Sequence, residues 1–156
     1  MFCLGGEKME DVLLFFAMKY DGDSMKIYNA LESHEKIDIE LMKQYQKEIR
    51  YKNTHVMKQS YPDYLKKVDN PPILLFYEGN INLLHDDVIK YGSLENGRRY
   101  MTSMYPIEKD GKVIFDYVIA CERQEDLDKL LKHMKSKGLP LKDYSKSKEK
   151  DHMKSR

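Results

Sequence analysis

Residues 113–121, Val-Ile-Phe-Asp-Tyr-Val-Ile-Ala-Cys, constrain the fold of this chain more than any other segment. A strand with one wet face alternates apolar and polar side chains. A run that is apolar at nearly every position predicts a central strand covered on both sides. Residues 123–137 follow directly and place Leu127, Leu130, Leu131 and Met134 at i, i+3, i+4 and i+7, the stripe of an amphipathic helix, with Gly138 and Pro140 ending it. The short connection predicts that this helix folds back onto the strand. Upstream, residues 99–105 form an extended β-compatible run expected to stop at Pro106, and Asp110-Gly111 is a hairpin turn signal.

The first third of the chain reads as helix. Residues 10–20 are apolar on most sides through Val12, Leu13, Leu14, Phe15, Phe16, Ala17 and Met18, which predicts a buried helix ended by Asp21-Gly22-Asp23. Ser24 is the expected cap of a second helix, with Met25, Tyr28 and Leu31 on one face and Ile27 beside them. Asp38 caps a third, whose apolar set is Leu41, Met42, Tyr45 and Ile49. A short strand is expected near residues 55–58. Tyr61-Pro62 opens a helical turn with Leu65 and Val68 on one face, and Pro71-Pro72 forces an extended entry. The apolar run 73–77 then reads as a buried strand closed by Gly79. Residues 86–91 read as one helical turn and 93–97 as a loop.

The expected fold class is α+β: a three-helix N-terminal head plus a small mixed or antiparallel sheet with a packed C-terminal helix. The expected divisions are a disordered lead over 1–8, the helical head over 9–52, a small α/β lobe over 53–143 and a disordered basic tail over 144–156. The 156 residues are enough for a core without staples. Charged residues reach 34%, above the usual ~25%, so the core sits under a highly charged surface. Lys plus Arg, 27, and Asp plus Glu, 26, nearly cancel, so any nucleic-acid footprint has to be local. Cys3 and Cys121 form no CxxC, and a reducing cytoplasmic compartment is expected, with Cys121 a buried thiol. The apolar patch 12–18 is too short for a membrane span, and no membrane partner is expected.

Candidate chemistry is sparse. The five His residues share no metal-ligand spacing, and His85-Asp86-Asp87 reads as a polar loop more readily than as part of a metal site. Asp116, the one carboxylate in the apolar strand, reads as an edge residue or one paired with Lys or Arg, the alternative being an acid with a raised pKa. Tyr28, Tyr45 and Tyr117 read as core residues with the hydroxyl at the rim. No metal, no cofactor and no catalytic residue is assigned, and no enzymatic activity is expected. Two local clusters could hold single-stranded nucleic acid: Arg98 and Arg99 with Tyr100 as a stacking ring, and Lys47, Arg50 and Lys52 at a helix C-terminus. Their bland readings are a solvated strand end and helix-dipole complementarity.

The order Tyr61-Pro62-x-x-Leu65, then Asp69-x-Pro71-Pro72, an apolar strand and Gly79 resembles the DNA-processing protein A family, at the segment that leads into its Rossmann-type fold. The helical stretch 16–31 looks like the helical head that several members carry. The resemblance covers about residues 10–84. Beyond it, Gly92-Ser93 is followed by Leu94 where the family has Arg, and no glycine-rich phosphate turn occurs among the eight glycines. The resemblance implies an accessory protein of DNA metabolism without the family's DNA-binding core, binding single-stranded DNA weakly. The alternative is a protein-interaction module that engages a partner through a sheet edge or a helical face.

Overall fold

The structure, a computed structural model, describes residues 8–86 and 89–144. It is an α+β fold. Helices α1 (Met9–Lys19), α2 (Ser24–Glu32) and α3 (Ile39–Lys47) precede strands β1 (Lys52–His55), β2 (Leu74–Gly79), β3 (Lys90–Ser93), β4 (Arg99–Lys109) and β5 (Lys112–Cys121), and α4 (Gln124–Ser136) follows. Two single-turn 3-10 helices, Asp63–Lys67 and Ile81–His85, flank β2. The five strands pair antiparallel throughout in the order β1-β2-β5-β4-β3.

β5 occupies the centre because both of its faces are apolar. Tyr117, Ile119 and Cys121 join Leu74 and Phe76 of β2 under the helices, against Val12, Phe16, Ile27 and Leu127. Val118 and Ala120 join Leu75 and Met101 on the opposite face, where Tyr61, Leu65, Leu83 and Leu84 from the two 3-10 segments cover them. The three N-terminal helices and the sheet thus share one apolar cluster. Cys121 is a buried free thiol, and burial pushes its pKa up, so it is a poor nucleophile. Among the described residues, no helix is long and apolar enough to cross a membrane.

Local chemistry sets the element ends. Asp38 caps α3 by accepting from the Leu41 amide at 3.1 Å. α2 is capped by Asp23, which accepts from the Lys26 amide at 3.2 Å, and not by Ser24, whose hydroxyl is drawn into tertiary contacts. Gly79 has φ 103°, and a Cβ there would lie 2.2 Å from the Tyr117 carbonyl oxygen, so β2 can close on β5 only through glycine. Tyr61 donates its buried hydroxyl to the Pro72 carbonyl at 2.6 Å, which ties the Tyr-Pro turn to the entry of β2.

Several sequence expectations move. The strand expected near 55–58 lies at Lys52–His55, ended by a turn in which the Lys58 amide bonds the His55 carbonyl. The helical turn expected over 86–91 is replaced by strand β3, with the helical turn lying earlier, at Ile81–His85. β4 continues through Pro106 to Lys109. Phe115, opposite Pro106, uses both of its backbone groups on Pro140 and Lys142, so Pro106 sits at a ladder position that needs no N–H toward β5. Tyr28 is exposed because α2 buries Ser24, Ile27 and Ala30 instead. The lead expected over 1–8 and the tail expected over 144–156 lie outside the described residues except for Lys8 and Tyr144, and Tyr144 packs edge-on against Tyr117.

Leu127 is fully buried, whereas Leu130 on the same stripe is only partly covered. Leu127→Ala should therefore lower stability by about 2–5 kcal/mol and Leu130→Ala by less. Urea titration of both variants checks this, and equal losses would place Leu130 in the core as well.

Candidate functional site

The six residues expected to touch nucleic acid have different neighbours from those the sequence suggests. Arg99 lies at the start of β4, beside the end of β5, and turns into the fold. Its Nε donates to Glu122 Oε1 at 2.9 Å, one terminal nitrogen donates to Glu122 Oε2 at 3.0 Å and to the Ser24 hydroxyl at 2.8 Å, and its amide donates to Glu122 Oε1 at 2.6 Å. Glu122 is only 2% exposed. Burial alone would lower the Arg99 pKa, but its hydrogen bonds to Glu122 and that carboxylate's charge outweigh it and hold the pKa above its ordinary value. Arg98 donates to the Asp21 carbonyl at 2.7 Å and lies 3.9 Å from the Asp23 carboxylate. The Tyr100 ring packs on the core under the helices and lies so close to Gly92 that a Cβ there would meet its hydroxyl at 2.9 Å.

The second cluster divides. Arg50 makes a two-pronged pair with Asp128 of α4 at 2.8 and 3.0 Å, and its amide donates to the Gln124 side chain at 2.7 Å. Tyr51 donates to the same Asp128 carboxylate, and burial followed by that hydrogen bond raises its pKa. Lys47 and Lys52 are exposed. The structure therefore does not bring the six residues into one basic surface. It brings Arg98 and Arg99 to a junction of the α1–α2 turn, the end of β5 and the start of α4. Arg123 and Asp126 complete that junction: Arg123 bonds Asp126 at 3.0 Å and Asp21 at 2.7 Å, and the Asp126 carboxylate accepts from Asn96. The side-chain hydrogen bonds to Asp126, which outweigh the burial that acts against them, raise the Arg123 pKa. Gly22 closes the junction at φ 75°, where a Cβ would lie 2.5 Å from the Glu122 carbonyl oxygen.

Asp116 is buried, but its partners are the Asn80 amide at 2.8 Å, the Tyr144 hydroxyl and the Tyr117 amide rather than a Lys or Arg. His85 faces the Ser60 carbonyl at 3.1 Å, and Asp87 lies outside the described residues. Among the described residues no group of three His, Cys, Asp or Glu could hold a metal.

Two of the grooves among the described residues have apolar side chains in their lining and bear on function, and sequence reasoning found neither. The first, of about 550 Å³, runs between the N-terminal helices and the β1–β2 connection, lined by Met9, Leu13, Met25, Tyr28, Met57 and Ile73 among others. Met57 is 66% exposed, Met25 50% and Tyr28 49%. The apolar face Met25–Tyr28–Leu31 was a usable signal, since α2 leaves two of its three members uncovered. The second groove, of about 640 Å³, lies between α4 and the β3–β4 side of the sheet, with Tyr100, Ile119, Leu130 and Met134 in its lining.

Glu122→Ala should cost about 3–5 kcal/mol, because it strands a largely buried guanidinium and an amide. A denaturant titration showing a loss below about 1 kcal/mol would mean that water or another group replaces the carboxylate. His55, 5% exposed, keeps its Nε2 without a partner among the described residues while Nδ1 accepts from the Met57 amide. Burial first, then Lys58, lowers its pKa below 6.5, with Glu10 opposing. Below about pH 6.5 the unfolded chain then binds a proton that the native one does not, so stability falls with acidification until the native pKa is passed. His55→Leu should shrink the stability difference between pH 7 and pH 5 in matched titrations, and an unchanged difference would assign that loss to other groups.

Comparison of the chain with protein-family models, with curated proteins and with solved structures finds no match.

Proposed function

We propose that this protein is a non-enzymatic interaction module that docks an amphipathic helix of a partner protein in its methionine-lined groove. One observation carries the reading: Met25, Tyr28 and Met57 are large, mainly apolar side chains held about half exposed or more around one concave surface. Scattered exposed apolar residues need no explanation, but a concave cluster does. Methionine is unbranched and polarisable, and such surfaces adapt to different apolar partners.

The chemistry of the lining selects the form of the partner. Among the described residues, Asn70 and the hydroxyl of Tyr28 are the polar side-chain groups along it. An extended peptide would bring unpaired backbone N–H and C=O groups into that groove, whereas a helix satisfies its own and presents only side chains. The sheet edge is a weaker docking place. Beyond Thr102, β4 has no strand partner on its outer side among the described residues, but Pro106 faces that side and removes a donor from the ladder.

A role in DNA metabolism, implied by the resemblance at residues 61–79, is a second reading. The exposed Lys47 and Lys52 favour it, while Arg50, Arg98 and Arg99 already serve acidic partners or backbone within the fold.

Methyl-¹³C methionine labelling tests the docking reading. A helical peptide with Leu and Phe at i, i+3, i+4 and i+7 and uncharged polar residues elsewhere should shift the Met9, Met25 and Met57 signals. Met25→Ser/Met57→Ser should weaken binding by about tenfold or more, the scale of two lost apolar contacts. Shifts caused by a free fatty acid and not by the peptide would sink the reading.

A further inference from the structure

We propose a second docking surface, the groove between α4 and the β3–β4 side of the sheet, which takes an acidic amphipathic segment of a partner protein. The inference stands on charge and shape at this groove and does not depend on the methionine groove.

Charge along α4 is segregated. Its first half carries Glu125, Asp126 and Asp128. From residue 129 to 137 the ionisable residues are Lys129, Lys132, His133, Lys135 and Lys137, with no carboxylate. Cations in the last turn complement the helix dipole, but that effect fades within one turn and does not reach back to Lys129. His133 and Lys137 rim the groove from α4, and Lys90 rims it from β3. Among the described residues, Glu95 is the one carboxylate in the lining.

Beneath this rim the lining is mixed, with apolar side chains beside the hydroxyl residues Ser93, Thr102 and Ser103. Leu130 is incompletely covered, Met104 is 38% exposed, and Ile119 and Met134 form buried parts of the lining. The partner must therefore present apolar side chains flanked by carboxylates. A bare anion would leave the apolar part of the surface uncovered, and an uncharged apolar segment would leave the two rim lysines, Lys90 and Lys137, unused. Nucleic acid fits less well. The Tyr100 ring already packs against Gly92 rather than standing open for a base, and Glu95 opposes phosphate. Charge complementarity of this kind acts mostly on encounter rate and on the choice of partner.

The test uses fluorescence anisotropy with three labelled probes. The first is a helical peptide with Leu and Phe at i, i+3, i+4 and i+7 and Glu and Asp at the flanking positions. The second replaces each Glu and Asp by Gln and Asn, and the third is an oligothymidylate. The acidic peptide should bind the full chain more tightly than the amide peptide, and the advantage should shrink as salt rises. K90E/K137E should weaken the acidic peptide by about tenfold or more while the midpoint of thermal unfolding stays within a few degrees, because both lysines are exposed. M104S, also at an exposed site, should weaken both peptides, while Met25→Ser/Met57→Ser should leave the preference for the acidic peptide intact. The proposal is overturned if K90E/K137E binds the acidic peptide as tightly as the parent chain. It is overturned equally by absence of peptide binding, by loss of the acidic preference in the methionine-groove variant, or by oligothymidylate binding more tightly than the acidic peptide.

Discussion

The arrangement of the helices on the sheet depends on one buried carboxylate. Glu122 sits just past the end of the central strand, where the chain leaves the sheet for α4. A carboxylate taken out of water needs opposite charge and hydrogen-bond donors, and Arg99 supplies both. The same guanidinium reaches Ser24, so the start of α2 is fixed relative to β4 and β5. Gly22 lets the α1–α2 turn come into contact with the Glu122 backbone, and Arg98 and Arg123 hold that turn from either side. Removing the carboxylate would leave both the guanidinium and the backbone amide of Arg99 without their acidic partner at once. Such a junction specifies orientation, which apolar packing alone leaves less sharply defined.

The grooves follow from how little helix is available to cover the sheet. α1 and α4 lie over β2 and β5, and the cluster under them contains Tyr100 but no other residue of β3 or β4. Among the described residues, no helix lies above the outer strands on that face, which leaves the space beside Leu130 and Met134. At the opposite margin, α2 is held by the Ser24 junction with Ile27 and Ala30 inward, so Met25 and Tyr28 turn outward beside Met57. One polar contact at the start of α2 thus sets which apolar residues are hidden and which are displayed.

The segments legible in the sequence were those with a local cause. The doubly apolar strand, the stripe of α4 and the cap at Asp38 each follow from residues within a few positions of one another. The parts that were not legible depend on partners far along the chain. Ser24 looked like a cap, but Arg99, 75 residues away, takes its hydroxyl. Arg98 and Arg99 read in the sequence as a local cationic cluster or a solvated strand end, and the sequence does not reveal that the Asp21 carbonyl and Glu122 accept from them. β3 has four residues with no apolar alternation and forms because β4 offers an edge for it to pair with. Pro106 reads as a strand end unless the ladder position that it occupies is known.

The near-zero net charge conceals an uneven distribution, and this bears on what the surface can recognise. Arg50, Arg98, Arg99 and Arg123 are all drawn to acidic residues where the helices meet the sheet. Arginine suits that task because its fork matches a carboxylate and it is less strongly hydrated than lysine. Each such pair cancels locally and contributes little field at a distance. Lysines dominate the outer cations of α4's second half, next to a partly apolar groove, where no carboxylate within bonding distance is found for them among the described residues. A field of that kind attracts acidic partners at long range, and the apolar surface beneath then selects those that also carry apolar side chains. The four arginines at the helix–sheet contacts thus hold the fold, while the lysines of α4's second half remain available to a partner, a division that a count of charges cannot make.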